Sequence, residues 1–180
     1  MNAASDLGSW IRSAKIWVVD DQEPWVKMVS AVLSAWGARP IGAESVARAE
    51  GLLTQYSIDM VISDLVMPIE DGFHLIRWIR HHPDKTLQRT PVALMTSETS
   101  LLNIKRAQCC GADLVIEKPL KPDVLWQRMG AVVAKGATGP RPLPPCGKTL
   151  EAPCPMIPPP RGETDAPAKA AATAASVVVT

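Results

Sequence analysis

The chain has 180 residues and a formal net charge of +1, with 19 basic and 18 acidic residues. This length accommodates one domain with a full hydrophobic core, but not two substantial domains. The near balance of charge excludes an overall electric field that would favour nucleic acid or an anionic membrane as a partner.

Targeting signals and cysteines both bear on the cellular compartment. The first residues, MNAASDLGSWIRSAK, lack the apolar core of about 7–15 residues that a signal peptide needs. No segment approaches the roughly 18 apolar residues of a membrane span, so we expect a cytoplasmic protein. The cysteines form no C-x-x-C motif, which predicts reduced thiols rather than a zinc site or a disulfide framework. These cysteines are Cys109, Cys110, Cys146 and Cys154.

Composition divides the chain into three parts. Residues 1–13 form an N-terminal extension, residues 14–135 carry the apolar periodicity of a folded domain, and residues 136–180 are rich in Pro, Ala and Gly. The last part has no apolar period that could build a core, and we interpret it as a flexible, partly polyproline tail. Its P-x-x-P stretches could dock into an aromatic groove, but a linker is the favoured interpretation.

Strands and helices alternate through the predicted domain. Five short apolar runs are typical of strands: KIWVVD, ARPIG, DMVISD, PVALMTS and DLVIEKP. Each is followed by apolar residues at helical spacing, in residues 24–36, 45–55, 72–81, 101–111 and 122–135. Pro24 suits a first helical turn, Ser45 a cap and Gly111 a helix end. The positions expected to face the core are Val26, Val29, Leu33, Trp36, Val46, Ala49, Leu53, Phe73, Ile76, Ile79, Leu125, Met129 and Val132.

This alternation predicts the fold class. Five strands and five helices indicate an α/β fold, a doubly wound five-stranded parallel sheet with helices on both faces, because a right-handed crossover helix follows each strand. Ligands bind such sheets beyond the carboxyl ends of the strands. The polar residues predicted to lie there are Asp20 and Asp21 after the first strand, Asp64 at the end of the third, Thr96 at the end of the fourth and Lys118 after the fifth.

The side chains at these strand ends suggest a chemistry. Asp20, Asp21 and Asp64 would repel one another at close range, so they either take up protons or bind a cation. Few protein ligands and room for water favour Mg²⁺ over an all-protein Ca²⁺ site. Lys118 and Thr96 would offer a positive charge and a hydrogen-bond donor to a phosphoryl group in transfer. Asp64 remains as the nucleophile, which would form an aspartyl phosphate.

Each of these residues also has a simpler interpretation. Asp20 and Asp21 could cap the next helix. Thr96 could be an ordinary β-branched strand residue, and Lys118 a solvated surface charge. Their joint position at strand ends favours the functional interpretation. Trp25, one turn beyond the acid pair, could overhang the pocket, although packing is its favoured role.

Taken together, these residues resemble the receiver domain of two-component response regulators, in a stand-alone form. The resemblance covers roughly residues 14–135. It depends on Asp20-Asp21, on DLVMPIEDG from Asp64 to Gly72, on Thr96 and on Lys118-Pro119. It implies a flavodoxin-like sheet with the strand order 2-1-3-4-5.

The resemblance also implies roles for the residues of the site. Asp21, Asp64 and the backbone carbonyl of Val66 would ligate Mg²⁺ directly, and Asp20 would act through water. Asp64 would accept a phosphoryl group from a sensor histidine kinase or a phosphotransfer protein. Lys118 would bridge Asp64 and the phosphoryl group, and its peptide bond to Pro119 would be cis. Thr96 would move inward to hydrogen-bond the modified group.

Further expectations concern activity and partners. The chain would catalyse at most its own phosphorylation and dephosphorylation, and contacts with an unknown protein target would read out the change. It would bind neither nucleic acid nor a membrane. A helix-turn-helix or a further basic segment, which a DNA-binding regulator needs, does not follow Lys135 in this sequence.

Two positions depart from the family pattern. Val115 stands where the family usually has Tyr or Phe, so coupling from Thr96 to the outer surface would be weaker or differently routed. Val66 is apolar and cannot orient an attacking water, which predicts a long-lived phosphoryl group. Two alternatives remain open: a binding module of the same fold that works without phosphorylation, and a hydrolase of small phosphate esters. The hydrolase would usually need a second acid at the position of Val66.

Overall fold

The structure is a computed structural model that describes residues 3–53 and 57–134. Its five strands are β1 (Lys15–Val19), β2 (Arg39–Ala43), β3 (Met60–Asp64), β4 (Val92–Thr96) and β5 (Leu114–Glu117). They form one parallel sheet in the order β2-β1-β3-β4-β5. The predicted fold class and strand order are therefore confirmed, while the predicted tail lies outside the described residues.

The described residues contain seven helices. They are α1 (Ala3–Ile11), α2 (Glu23–Ala35), α3 (Val46–Leu53), α4 (Gly72–His81), α5 (Lys85–Arg89), α6 (Leu101–Cys110) and α7 (Pro122–Ala134). Five of them confirm the predicted helical segments, whereas α1 and α5 were not predicted. The positions expected to face the core are buried, except that Val26 and Trp36 are half-buried. The side chain of Leu53 lies outside the described part of the chain.

Apolar side chains cover both faces of the sheet. Along β1, Ile16 and Val18 point into a cluster with α1, α2 and α7, while Trp17 and Val19 point into a cluster with α3, α4 and α6. All four are inaccessible to solvent. A strand buried on both faces needs an unbroken apolar run, which explains why the strands have little alternation in sequence.

A glycine fixes the loop between β3 and α4 against the end of β3. The backbone N–H of Gly72 donates a 2.9 Å hydrogen bond to the carbonyl oxygen of Leu65. A Cβ at this position would collide with the carbonyl oxygen of Asp64 and with the side chain of Leu94. Asp71 then caps α4 by accepting a 2.8 Å hydrogen bond from the N–H of His74. Only glycine therefore allows α4 to begin this close to Asp64.

Helix α1 shows that part of the N-terminal extension belongs to the folded core. Leu7 and Ile11, four residues apart on one side of the helix, are almost completely buried in the cluster that includes Met129 of α7. The helix has only nine residues, too few for a clear apolar period. Among the described residues, no helix is both long enough and apolar enough to span a membrane.

Candidate functional site

Four of the predicted residues converge at the carboxyl edge of the sheet. Asp20 and Asp21 follow β1, Asp64 ends β3 and Lys118 follows β5. One carboxylate oxygen from each acid lies within 4.8 Å of the others. The side chains of Asp20 and Asp64 are 0% and 7% exposed, whereas Asp21 is exposed. The site is thus a cluster of three carboxylates, of which two are buried and one is exposed to solvent.

Lys118 binds two of the three carboxylates. Its Nζ lies 2.8 Å from Oδ2 of Asp20 and 2.9 Å from Oδ1 of Asp64, and its side chain is 9% exposed. The peptide bond from Lys118 to Pro119 is cis, as the family resemblance implied. The lysine is therefore a buried ammonium group held between two acids, and its interpretation as a solvated surface charge is wrong.

Burial and charge act in opposite directions on the two central groups. Burial raises the pKa of Asp64, and the charge of Asp20 adds to the increase, while the hydrogen bond and charge of Lys118 oppose it; the net direction is upward. Burial alone would lower the pKa of Lys118, but its hydrogen bonds and charge interactions with Asp20 and Asp64 outweigh burial and raise it. Lys118 therefore remains a cation, whereas the ionised form of Asp64 is disfavoured by its surroundings.

Asp20 does more than cap a helix. One of its oxygens accepts a 3.0 Å hydrogen bond from the backbone N–H of Gln22, the residue that precedes α2. The other oxygen binds Lys118. The turn before α2 therefore holds the Asp20 carboxylate in the orientation that meets the lysine.

Thr96 ends β4 at the same edge of the sheet and is buried. Its hydroxyl accepts a 3.0 Å hydrogen bond from the N–H of Glu98 and lies 3.3 Å from the carbonyl oxygen of Glu98. The hydroxyl thus binds the backbone of the loop that follows β4. The inward movement of this hydroxyl toward a modified Asp64 remains a prediction.

A cavity of about 480 Å³ opens beside Asp64. Asp64, Lys118 and Val66 line it, together with Trp25 of α2. The Val66 side chain is exposed at its mouth, so an apolar group stands two residues after Asp64, as the sequence predicted. Val115, the other departure from the family pattern, is half-buried on β5, and its carbonyl oxygen accepts a 2.9 Å hydrogen bond from Arg128.

Trp25 is the residue whose place sequence reasoning left open. The centre of its ring lies 4.8 Å from Nζ of Lys118, within the range of a cation–π contact. Packing was the favoured role for this side chain, but the structure places it over the lysine in the wall of the cavity. Its position in the first turn of α2, close after the acid pair, was the signal in the sequence.

The donor set suits a hard divalent cation. Three carboxylates are the oxygen ligands that Mg²⁺ and Ca²⁺ prefer, and the exposed side of the cluster leaves room for the waters that Mg²⁺ retains. A cation would also offset the repulsion that helps to raise the pKa of Asp64. The residues therefore fit Mg²⁺, with Asp21 and Asp64 as the expected direct ligands.

The fold and the pocket together define a receiver-type domain. A family model described as the response regulator receiver domain matches residues 16–130. The chain therefore belongs to the response regulator receiver domain family.

Curated relatives agree with this assignment. The chain is 31% identical over 135 residues to the virulence sensor protein BvgS of Bordetella pertussis, covering 73% of this chain and 11% of that protein. It is 31% identical over 122 residues to the phosphate regulon transcriptional regulatory protein PhoB of Escherichia coli, covering 67% of this chain and 52% of that one. The chain thus spans from a tenth to about half of the length of these relatives.

Solved structures give the same result. The chemotaxis protein CheY4 of Vibrio cholerae is 28% identical, with a TM-score of 0.63 over 67% of this chain and 98% of that chain. The signal receiver domain of a histidine kinase from Syntrophus aciditrophicus is also 28% identical, with a TM-score of 0.62 over 71% of this chain and 95% of that chain. The likeness therefore extends over nearly the whole of each neighbour.

Proposed function

We propose that the chain is a phosphoacceptor response regulator of a two-component or phosphorelay pathway, with Asp64 as the accepting residue. The observation that carries the proposal is the contact of Asp64 with both a lysine and an acidic cluster: Nζ of Lys118 is 2.9 Å from Oδ1 of Asp64, and the acids Asp20 and Asp21 lie within 4.8 Å. A carboxylate supplies the nucleophile, and the lysine and a bound cation balance the charge of the incoming phosphoryl group.

The proposed reaction transfers a phosphoryl group from a phosphohistidine. An oxygen of Asp64 forms a bond with phosphorus, the phosphorus–nitrogen bond breaks, and its electron pair remains on the imidazole nitrogen. Lys118 stays beside the transferred oxygens because Asp20 holds the other side of its ammonium group. Mg²⁺, where it is bound, supplies positive charge to the phosphoryl oxygens.

The partners follow from this chemistry. The donor is a sensor histidine kinase or a histidine phosphotransfer protein, and the readout is a contact with a protein target, with no nucleic acid or membrane bound by this chain. We place the protein in the cytoplasm, where such donors expose their phosphohistidine. Its only catalysis would be its own phosphorylation and dephosphorylation.

A small phosphodonor tests the proposal. The chain is incubated with acetyl phosphate and Mg²⁺, and its intact mass is measured. We expect one phosphoryl adduct on the natural protein and none on Asp64→Asn. When Mg²⁺ is chelated beforehand, the natural protein should form no adduct. Absence of an adduct on the natural protein would instead favour a binding module that works without phosphorylation. Rapid turnover of acetyl phosphate would favour a hydrolase.

A further inference from the structure

Trp25 occupies an unusual position for a large aromatic side chain. It lies in the first turn of α2, directly after Pro24, and its backbone N–H lies 2.9 Å from the carbonyl oxygen of Gln22. The side chain is half-buried, with its ring facing Nζ of Lys118 at 4.8 Å. A tryptophan ring attracts a cation through the negative charge on its face, most strongly where water is excluded.

Lys118 therefore has three neighbours that fix its ammonium group. Two are the carboxylates of Asp20 and Asp64, and the third is the ring of Trp25. The lysine side chain is only 9% exposed, and the ring covers one side of its ammonium group. Loss of the ring would hydrate Lys118 and open the cavity toward Asp64.

We propose that Trp25 is a positioning residue of the phosphoryl site: it holds Lys118 against Asp64 and shields that side of the aspartyl phosphate from water. The inference rests on the proposed function. Trp25 and the exposed Val66 both line the cavity that contains Asp64. Two apolar side chains near the reacting carboxylate leave an attacking water without a polar partner on those sides.

The reaction that Trp25 opposes is hydrolysis. A water oxygen forms a bond with phosphorus, the bond from phosphorus to the Asp64 oxygen breaks, and the electron pair returns to the carboxylate while the water proton passes to solvent. Removal of the ring admits water and frees Lys118. The phosphoryl group should then be lost faster.

The test compares Trp25→Ala and Trp25→Phe with the natural protein. Each is phosphorylated with acetyl phosphate and Mg²⁺, the donor is removed, and the adduct is followed by intact mass. We expect Trp25→Ala to lose the phosphoryl group about three- to tenfold faster, which converts to roughly 0.7–1.4 kcal/mol and lies between the values for exposed and desolvated cation–π contacts. Trp25→Phe keeps a ring and should restore most of the lifetime. Trp36→Phe, in a ring pair with Trp126 outside the cavity lining, should behave like the natural protein.

A fluorescence measurement gives a second readout, which reports whether the ring of Trp25 lies against the occupied phosphoryl site. Mg²⁺ and beryllofluoride, a phosphoryl analogue, should alter the indole emission of the natural protein and of Trp36→Phe. The change should be lost in Trp25→Phe. Thermal unfolding of all three variants shows which of them retain the fold.

The outcomes separate this inference from the proposed function. Equal phosphoryl lifetimes for the natural protein and Trp25→Ala would overturn the role of Trp25 and leave the function standing. Equally fast loss from Trp25→Phe and Trp25→Ala would overturn the requirement for a ring. If the natural protein takes up no phosphoryl group, the proposed function fails. The role of Trp25 then fails with it, and an emission response that persists unchanged in Trp25→Phe would likewise overturn that role.

Discussion

Asp64 is a carboxylate that the folded protein makes harder to ionise. Burial raises its pKa and Asp20 adds to the increase, so the pair with Lys118 does not fully compensate. The site is thus costly for the fold until a cation joins it. Functional sites often retain such unfavourable groups because the chemistry requires them.

Replacement of Asp64 by Asn should stabilise the metal-free domain. Asparagine keeps the shape of the side chain and removes the charge that burial disfavours. We expect the free energy of unfolding at neutral pH to rise by on the order of 1 kcal/mol, measured by chemical denaturation in a chelating buffer. Asp123→Asn, at an exposed position in the first turn of α7, serves as the control and should not stabilise the fold.

The stabilisation by Asp64→Asn should increase as the pH rises. The pKa of Asp64 lies above its ordinary value of 3.8 in the folded protein, so the unfolded chain ionises first as pH rises. The natural protein therefore loses stability relative to Asp64→Asn from about pH 4 upward, until the folded-state pKa is passed. If the difference in unfolding free energy between the two proteins shrinks over this interval, the pKa of Asp64 is not raised in the folded protein.

Val66 should set part of the phosphoryl lifetime. An apolar side chain at the mouth of the cavity cannot hydrogen-bond an attacking water, whereas Val66→Asn could. We expect Val66→Asn to speed phosphoryl loss several-fold in the intact-mass assay. Ile69→Asn changes a fully exposed apolar residue of the same loop and should have little effect. Rapid loss from the natural protein that Val66→Asn does not increase would refute this role.

At the scale of elements, the start of α4 is fixed by the end of β3. Gly72→Ala would drive a methyl group into the carbonyl oxygen of Asp64 and should destabilise the fold by about 2 kcal/mol or more, with weaker Mg²⁺ binding. Gly51→Ala is a matched control, because a Cβ there meets no described atom within 4 Å. That change, inside α3, should instead stabilise by roughly 0.5–1 kcal/mol. Similar stability of the two variants in denaturant unfolding would argue against the contact.

Helix α1 should contribute to the stability of the fold through Leu7. Leu7 is fully buried between this helix and the rest of the core, so Leu7→Ala should cost about 2–4 kcal/mol of unfolding free energy. Leu102→Ala removes the same atoms from an exposed position on α6 and should cost far less. Denaturant unfolding compares the two. A small loss in Leu7→Ala would mean that α1 contributes little to the fold.

At the scale of the whole molecule, the parallel sheet is what brings the site together. Asp20, Asp64 and Lys118 are distant in sequence, and the parallel sheet brings them to one edge, where the Lys118 side chain reaches past the end of β4 to both acids. Sequence reasoning reached this because buried parallel strands have a strong apolar signal and polar residues at their ends are conspicuous. The fold class and the meeting of three acids with a lysine were accessible from this pattern, whereas the strand order came from the family resemblance.

Other features depended on contacts that have no local signal. α1 is short, and only its packing against α7 reveals why Leu7 and Ile11 are apolar. α5 has five residues and one buried apolar side chain, Leu87, which is too little to show a period. The contact of Trp25 with Lys118 joins residues 93 positions apart, so spacing in the sequence could not decide between packing and a place in the pocket.

Cation binding should stabilise the whole domain through the carboxylate cluster. A ligand that binds only the folded state raises the free energy of unfolding by about 2.7 kcal/mol at a hundredfold excess over its dissociation constant. We therefore expect Mg²⁺ to raise the melting temperature of the natural protein above that in sodium chloride of equal ionic strength. The increase should be much smaller for Asp21→Asn. An equal increase in both proteins would place the cation elsewhere.

A crystal structure of the chain with Mg²⁺ and beryllofluoride would show directly whether Asp64 is the phosphoryl acceptor. We expect beryllium bonded to an oxygen of Asp64, a fluorine within hydrogen-bonding distance of Nζ of Lys118, and Mg²⁺ ligated by Asp21 and Asp64. A structure in which Lys118 points away from the acids, or in which the fluoride complex and the cation bind elsewhere, would contradict this expectation.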